Sequence, residues 1–134
     1  MKLVTTHICM TKDVGVHGNL FGGIMMAWID EATAAFASEV CFTPHLVTGT
    51  FDKLVFASPV KVGDAIKIYC KTKAIGTKSI TIEVEARNFS PYDHSEVVVC
   101  KTSGTFVRID ERNGKSIPIS EHVKERFKKE QEND

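Results

Sequence analysis

From Ile24 to Val40 the chain has no Pro and no Gly, and the helix it favours is apolar on nearly every side. Ile24, Trp28, Ala32, Phe36 and Val40 recur at i, i+4 as one stripe, while Met25, Met26, Ala27, Ile29, Ala34 and Ala35 fill the opposite side. A helix of this kind must be covered, by the rest of the fold or by lipid. Roughly 17 residues interrupted by Asp30 and Glu31 make a poor membrane span, which takes about 20 apolar residues. The stretch is predicted to be a core helix, and the remaining chain must supply the surface that covers it.

Asp30 is the odd residue in that helix. A buried, charged carboxylate costs several kcal/mol of desolvation unless it is paired, so a structural partner is the plain expectation. Two neighbours suggest more. Gly22-Gly23 opens the helix, and Asn19 lies just before it. A Gly-rich helix start lets a ligand approach the backbone, and its free N–H groups attract anionic or carbonyl oxygens. Amide, helix start and acid together form a candidate site.

Composition narrows the function class. The 134 residues suit one domain with one core. Lys+Arg and Asp+Glu number 17 each, and this zero balance argues against a generic nucleic-acid binder. MKLVTTHICMTKD lacks the continuous apolar region of a secretory signal, and no run is long enough to span a membrane. Cys9, Cys41, Cys70 and Cys100 are widely spaced in apolar segments and read as reduced core thiols of a cytoplasmic protein. Cys41, just past the helix, is the one thiol placed for a nucleophile, yet nothing nearby in sequence would lower its pKa. No His pairs with another His or Cys at metal-ligand spacing, so no metal and no separate cofactor are expected.

Around the helix the chain reads as strands. Residues 2–10 are rich in Val, Thr and Ile, and residues 45–56 alternate after the Phe42-Thr43-Pro44 stop. In 65–74, Ile66, Ile68, Cys70, Thr72 and Ala74 alternate with Lys67, Tyr69, Lys71 and Lys73. In 80–86, Ile80, Ile82, Val84 and Ala86 alternate with Thr81, Glu83 and Glu85. Such a period of two gives each strand one wet face, and Gly76-Thr77-Lys78 joins the pair as a hairpin. Residues 96–109 form a last long strand. The charged tail 113–134 has Val123 and Phe127 as its anchors for a short surface helix. The predicted class is α+β: one long helix wrapped by a curved antiparallel sheet of about five strands, with edges that invite association.

Three blocks carry a family resemblance: Gly18-Asn19-Leu20-Phe21-Gly22-Gly23 followed by Trp28-Ile29-Asp30-Glu31-Ala32, then the segment from Phe56 to Asp64, then Gly76-Thr77-Lys78-Ser79. In this order and spacing, the sequence resembles the hotdog-fold acyl-CoA thioesterases of the bacterial short-chain and mammalian cytosolic long-chain hydrolase type, over residues 3–112. The resemblance implies hydrolysis of acyl-CoA to a free acid and CoA, with Asp30 and Asn19 as a catalytic pair drawn from opposite subunits. It implies a dimer as the catalytic unit and a trimer of dimers as the assembly. One independent point agrees: Asp30 lies seven residues past Gly23, about 10 Å along the helix axis, too far to reach a carbonyl docked at the same helix's start. The acyl group is expected along Phe21, Met25, Met26 and Trp28, with Gly22, Gly23, Phe56 and Ser58 near the thioester. Lys53, Lys78 and Arg87 are candidates for the CoA phosphates.

Two rival readings stay open. A hotdog enoyl-CoA hydratase would use Asp13 and His17 in the loop before the helix, although the interval is one residue short of that pattern and lacks its Asn-Pro. A non-catalytic acyl-CoA sensor would keep the groove but usually adds a DNA-binding segment, which no basic helix-turn-helix supplies here.

Overall fold

The computed structural model describes residues 1–133. Six strands, β1 (Lys2–Ile8), β2 (Leu46–Phe51), β3 (Val55–Phe56), β4 (Ala65–Ile75), β5 (Ser79–Phe89) and β6 (Glu96–Arg108), form one sheet. Its order is β1-β4-β5-β6-β2, with β3 also on β6, and every pairing is antiparallel. Helix α1 (Gly22–Cys41) lies against five of the strands, β1, β2, β4, β5 and β6, and a second helix, α2 (Glu121–Glu132), follows the sheet. The α+β arrangement of one long helix wrapped by an antiparallel sheet is the one expected. The strand read over 45–56 is broken into β2 and the two-residue β3, which makes six strands.

The alternation in β4 and β5 has its expected cause. Ile66, Ile68, Cys70, Ile80, Ile82, Val84 and Ala86 are buried against α1, and the intervening residues face outward. Across the pair Lys71 stands opposite Glu83, Lys67 opposite Arg87 and Tyr69 opposite Glu85.

Helix α1 departs from the predicted stripe. Its buried residues are Met25, Ile29, Ala32, Thr33, Phe36, Ala37 and Cys41, so the inward face is rotated by about one position from Ile24, Trp28 and Val40. Gly23, Met26, Ala27, Glu31 and Ala35 are exposed on the protomer, so α1 is a core helix on one side only. It ends at Phe42, whose left-handed backbone (φ 55°) directs its N–H to the Ser38 carbonyl.

A β-bulge in β2 shapes the surface that meets the helix. Thr48 pairs with Phe106 and Thr50 with Thr105, leaving Gly49 as the extra residue. A Cβ at Gly49 would stand 3.1 Å from the Thr105 carbonyl oxygen. The added residue resets the alternation, so Thr48 and Phe51, three apart, both face α1. The tail from residue 113 is tied to the body through its described residues: Ile119 donates its N–H to the Thr77 carbonyl, Ser120 caps α2, and Ile119 and Val123 are core residues. Among the described residues no helix is long and apolar enough to cross a membrane.

Candidate active site

The segment from Asp13 to Phe21 is fixed by its own backbone. Gly15 donates to the Asn19 carbonyl (2.8 Å), Leu20 to Val60 (2.7 Å) and Phe21 to Asp13 (2.9 Å). Gly18, at φ 74°, supplies the reversal that lets the chain run back toward the helix. Phe21 is the N-cap and offers no side-chain acceptor. The N–H groups of Gly22 and Gly23 therefore find no acceptor among the described residues, while those of Ile24 and Met25 turn to the Phe21 carbonyl. Two amides without an acceptor and the positive end of a 20-residue helix lie together here.

Two clefts flank this helix start. One, about 380 Å³, is lined by Asn19, Gly22, Phe56 and Ser58 together with Met25 and Val60. The other, about 230 Å³, is lined by Gly23, Met26, Asp30, Thr48, Phe51 and Leu54. Within one protomer the structure thus brings Asn19, Gly22, Phe56 and Ser58 together on one side, and Gly23, Met26 and Asp30 on the other. Phe21, exposed, packs over the helix start: a Cβ at Gly23 would stand 2.9 Å from its Cε1. Met25 is buried and lines the first cleft from its core side, whereas Trp28 stacks on His7 at 4.6 Å and lines neither cleft.

Asp30 differs from its expected setting. It is half-buried rather than buried, and Thr48 donates to its Oδ1 at 2.9 Å. The bulge at Gly49 is what turns Thr48 toward it. Thr48 and Lys61, whose Nζ donates to Asn19 Oδ1, are the two site residues that sequence reasoning missed. The resetting of alternation at a Gly inside a strand is a signal that would have found Thr48.

The candidate phosphate anchors are not gathered at the helix start. Arg87 is held on the outer sheet face, paired with Glu85 (2.9 Å) and Glu96 (3.4 Å) and lying 4.0 Å over the Tyr69 ring. Lys53 lines a groove with Glu83, Glu85 and Lys101, and Lys78 sits in the β4–β5 hairpin beside Ser116. Strand alternation puts Arg87 on the outer face, Lys53 follows β2 in a loop and Lys78 lies in a hairpin, and none of the three lines either cleft of its own protomer. The Asp13–His17 alternative lacks its dyad. Asp13 is buried, and its carboxylate accepts from the Met10 N–H (2.9 Å) and Lys12 (3.2 Å), which hold its pKa below the usual carboxylate range, while His17 is exposed. Burial pushes the Cys41 thiol up to about 11, which removes it as a thiolate nucleophile.

A long helix wrapped by an antiparallel sheet, with a Gly-Gly helix start between two clefts, is the architecture of a hotdog-fold protein. The chain belongs to the thioesterase superfamily, whose family model matches residues 17–93. An acyl-CoA thioester hydrolase of Salmonella typhimurium is 33% identical over 84 residues, covering 63% of this chain and 62% of that protein. A second, uncharacterised acyl-CoA thioester hydrolase from Zymomonas mobilis is 31% identical over 104 residues, 78% of this chain and 69% of the relative. The chain thus spans a little under two thirds of the Salmonella relative's length and a little over two thirds of the Zymomonas one's. Among solved structures, a hexameric hotdog fold thioesterase of Campylobacter jejuni is 35% identical, covers 93% of this chain and 95% of its own, and superposes with a TM-score of 0.82.

Proposed function

We propose that this chain hydrolyses acyl-CoA thioesters to a carboxylic acid and free CoA. The observation that carries the reading is the pair of unused amides at Gly22 and Gly23, at a helix start flanked by one cleft that presents Asn19 and another that presents Asp30. Negative charge grows on a thioester oxygen when its carbonyl is attacked, and preorganised N–H donors at a helix start stabilise it. Water adds to the carbonyl carbon as its proton passes to the Asp30 carboxylate, and the C–S bond then breaks as Asp30 returns that proton to the departing sulfur, releasing the acid and the CoA thiol. Direct attack by Asp30 through an acyl anhydride gives the same products once water opens the anhydride.

Asp30 of one protomer serves the helix start of its partner in this scheme, with Asn19 and Asp30 of each site coming from opposite subunits. Two features support that. Asp30 is about 10 Å along the axis from its own Gly23. The exposed side of α1 and its surroundings carry Phe21, Met26, Val47, Val55 and Phe56, all at least 44% exposed on the protomer, and a second copy would cover them. The catalytic unit in this reading is a dimer, and the assembly proposed for it is a trimer of dimers, in keeping with the hexameric Campylobacter neighbour. Lys53, Lys78 and Arg87 remain candidates for CoA phosphates only as contributions from another subunit.

The test is thiol release from an acyl-CoA panel running from acetyl to palmitoyl, with Asp30→Asn beside the unaltered chain. The variant is expected to fold and to lose at least about 100-fold in rate, within the 10²–10⁴ typical of a general base. Near-normal turnover by Asp30→Asn would take that residue out of the mechanism.

A further inference from the structure

We infer that Lys61 is a positioning residue: by holding the amide oxygen of Asn19, it presents the Asn19 NH2 to the cleft as a donor to the thioester carbonyl. This rests on the proposed hydrolysis and narrows it, because Asn19 alone could either orient water through its oxygen or donate through its nitrogen.

Lys61 Nζ donates to Asn19 Oδ1, and among the described residues Lys61 has no ion pair. The nearest carboxylate in sequence, Asp64, makes no ion pair with it, and its Oδ2 takes the Lys61 backbone N–H (2.9 Å) and the Asn88 amide (3.0 Å). The ammonium is therefore left for the amide oxygen.

The frame under this contact is stiff. Asn19 and Lys61 face each other in an antiparallel bridge, with Leu20 N–H on the Val60 carbonyl beside it. The Lys61–Asp64 turn closes through Gly63 at φ 92°, and it is stitched to β1 by Gly63 N–H to Cys9 and Cys9 N–H to Asp64.

A primary amide carries one oxygen acceptor and one NH2 donor group, whereas an ammonium only donates. With the ammonium on Oδ1, rotating the amide by 180° would set donor against donor, so the orientation is fixed. The NH2 is then the group available to the cleft it shares with Gly22, Phe56 and Ser58. The adjacent positive charge polarises the amide and strengthens that donor. Asn19 thus joins the Gly22 and Gly23 amides as a third hydrogen-bond donor.

The test measures kcat and KM for the unaltered chain, Lys61→Met, Lys61→Arg, Asn19→Ala and the Lys61→Met/Asn19→Ala double variant. Each is assayed with an acyl-CoA and with the matching acyl-pantetheine, which lacks the nucleotide phosphates. Lys61→Met is expected to lower kcat roughly 5- to 20-fold on both substrates, part of the 10²–10³ lost when a whole oxyanion donor is removed. Lys61→Arg should recover most of that, and the double variant should be no slower than Asn19→Ala. Multiplying losses in the double variant would overturn the inference. So would a defect confined to KM for acyl-CoA, which is the mark of a phosphate anchor. Full activity of Asn19→Ala while Asp30→Asn is inactive would overturn the role of Lys61 and leave the hydrolysis standing. No thiol release by the unaltered chain from either substrate would overturn the hydrolysis, and this inference with it.

Discussion

Gly104 sits on the inner face of β6 opposite Phe51, and its missing side chain shapes the cleft that Asp30 lines. A Cβ there would stand 2.5 Å from Phe51 Cε1 and 3.0 Å from both Cδ1 and Cζ. Restoring an ordinary carbon–carbon contact of about 3.5 Å requires the ring to retreat by about 1 Å. Phe51 already packs edge-on against Phe106 at 6.0 Å, so its room lies toward Gly23, Met26 and Asp30 in a cleft of about 230 Å³. Gly104→Ala is expected to cost about 1–3 kcal/mol as overpacking. For a chain of this size that lowers the Tm by roughly 3–12 °C. Scanning calorimetry at equal protein concentration measures the loss, and thiol release across the acyl-CoA panel measures the cleft. The profile should shift toward shorter acyl groups as the ring moves in. Adding Phe51→Leu to Gly104→Ala should recover much of both. An unchanged Tm together with an unchanged profile would show that Phe51 moves aside freely and that the close approach constrains nothing.

Mixing Asp30→Asn chains with Asn19→Ala chains, unfolding and reassembling them, should restore activity that neither variant has alone, because a mixed dimer rebuilds one intact cross-subunit site; no restoration would mean that both groups act within one chain. Ile119→Ala should destabilise the whole domain by about 2–4 kcal/mol in a denaturant titration, since Ile119 is 2% exposed in the common core; a separate early transition of the tail would contradict that. Asp13 has a lowered folded pKa, so its contribution is fully present above the ordinary carboxylate value of about 3.9 and fades as pH falls through the lower folded value. The stability gap between the unaltered chain and Asp13→Asn should accordingly narrow as denaturation is followed below about pH 4. A disulfide reagent should label none of the four cysteines promptly in the native state and all four in denaturant, because all are buried and burial raises the Cys41 and Cys70 thiols to about 11.

The legible parts of this chain were those where one physical signal dominates. Strict alternation in β4 and β5 announces which side chains meet the core, and a Gly-Gly start followed by an unbroken apolar run announces α1. The inward face of α1 was not legible for the same reason the helix was: with nearly every side apolar, no stripe stands out, and the sheet chose Met25 and Ile29 over Ile24 and Trp28. Asp30 was placed in the right element but too deep, because its exposure depends on how far β2 overlaps the helix. The partners Thr48 and Lys61 depend on one bulge and one turn, which join segments 18 and 42 residues apart in sequence. The setting of Arg87 was not legible because a charged residue at a strand position carries no mark of the sheet face or neighbours it will meet; here Glu85, Glu96 and Tyr69 surround it.

The extra residue at Gly49 makes the length of this strand part of its chemistry. Deleting one amino acid there would send either Thr48 or Phe51 outward, separating the acid from its hydroxyl partner or emptying the aromatic wall beside it. An insertion would be no kinder, since the chain passes the Thr105 carbonyl so closely that a Cβ would stand 3.1 Å from its oxygen. Where most surface segments absorb a change of one residue, this one keeps time for the helix beside it.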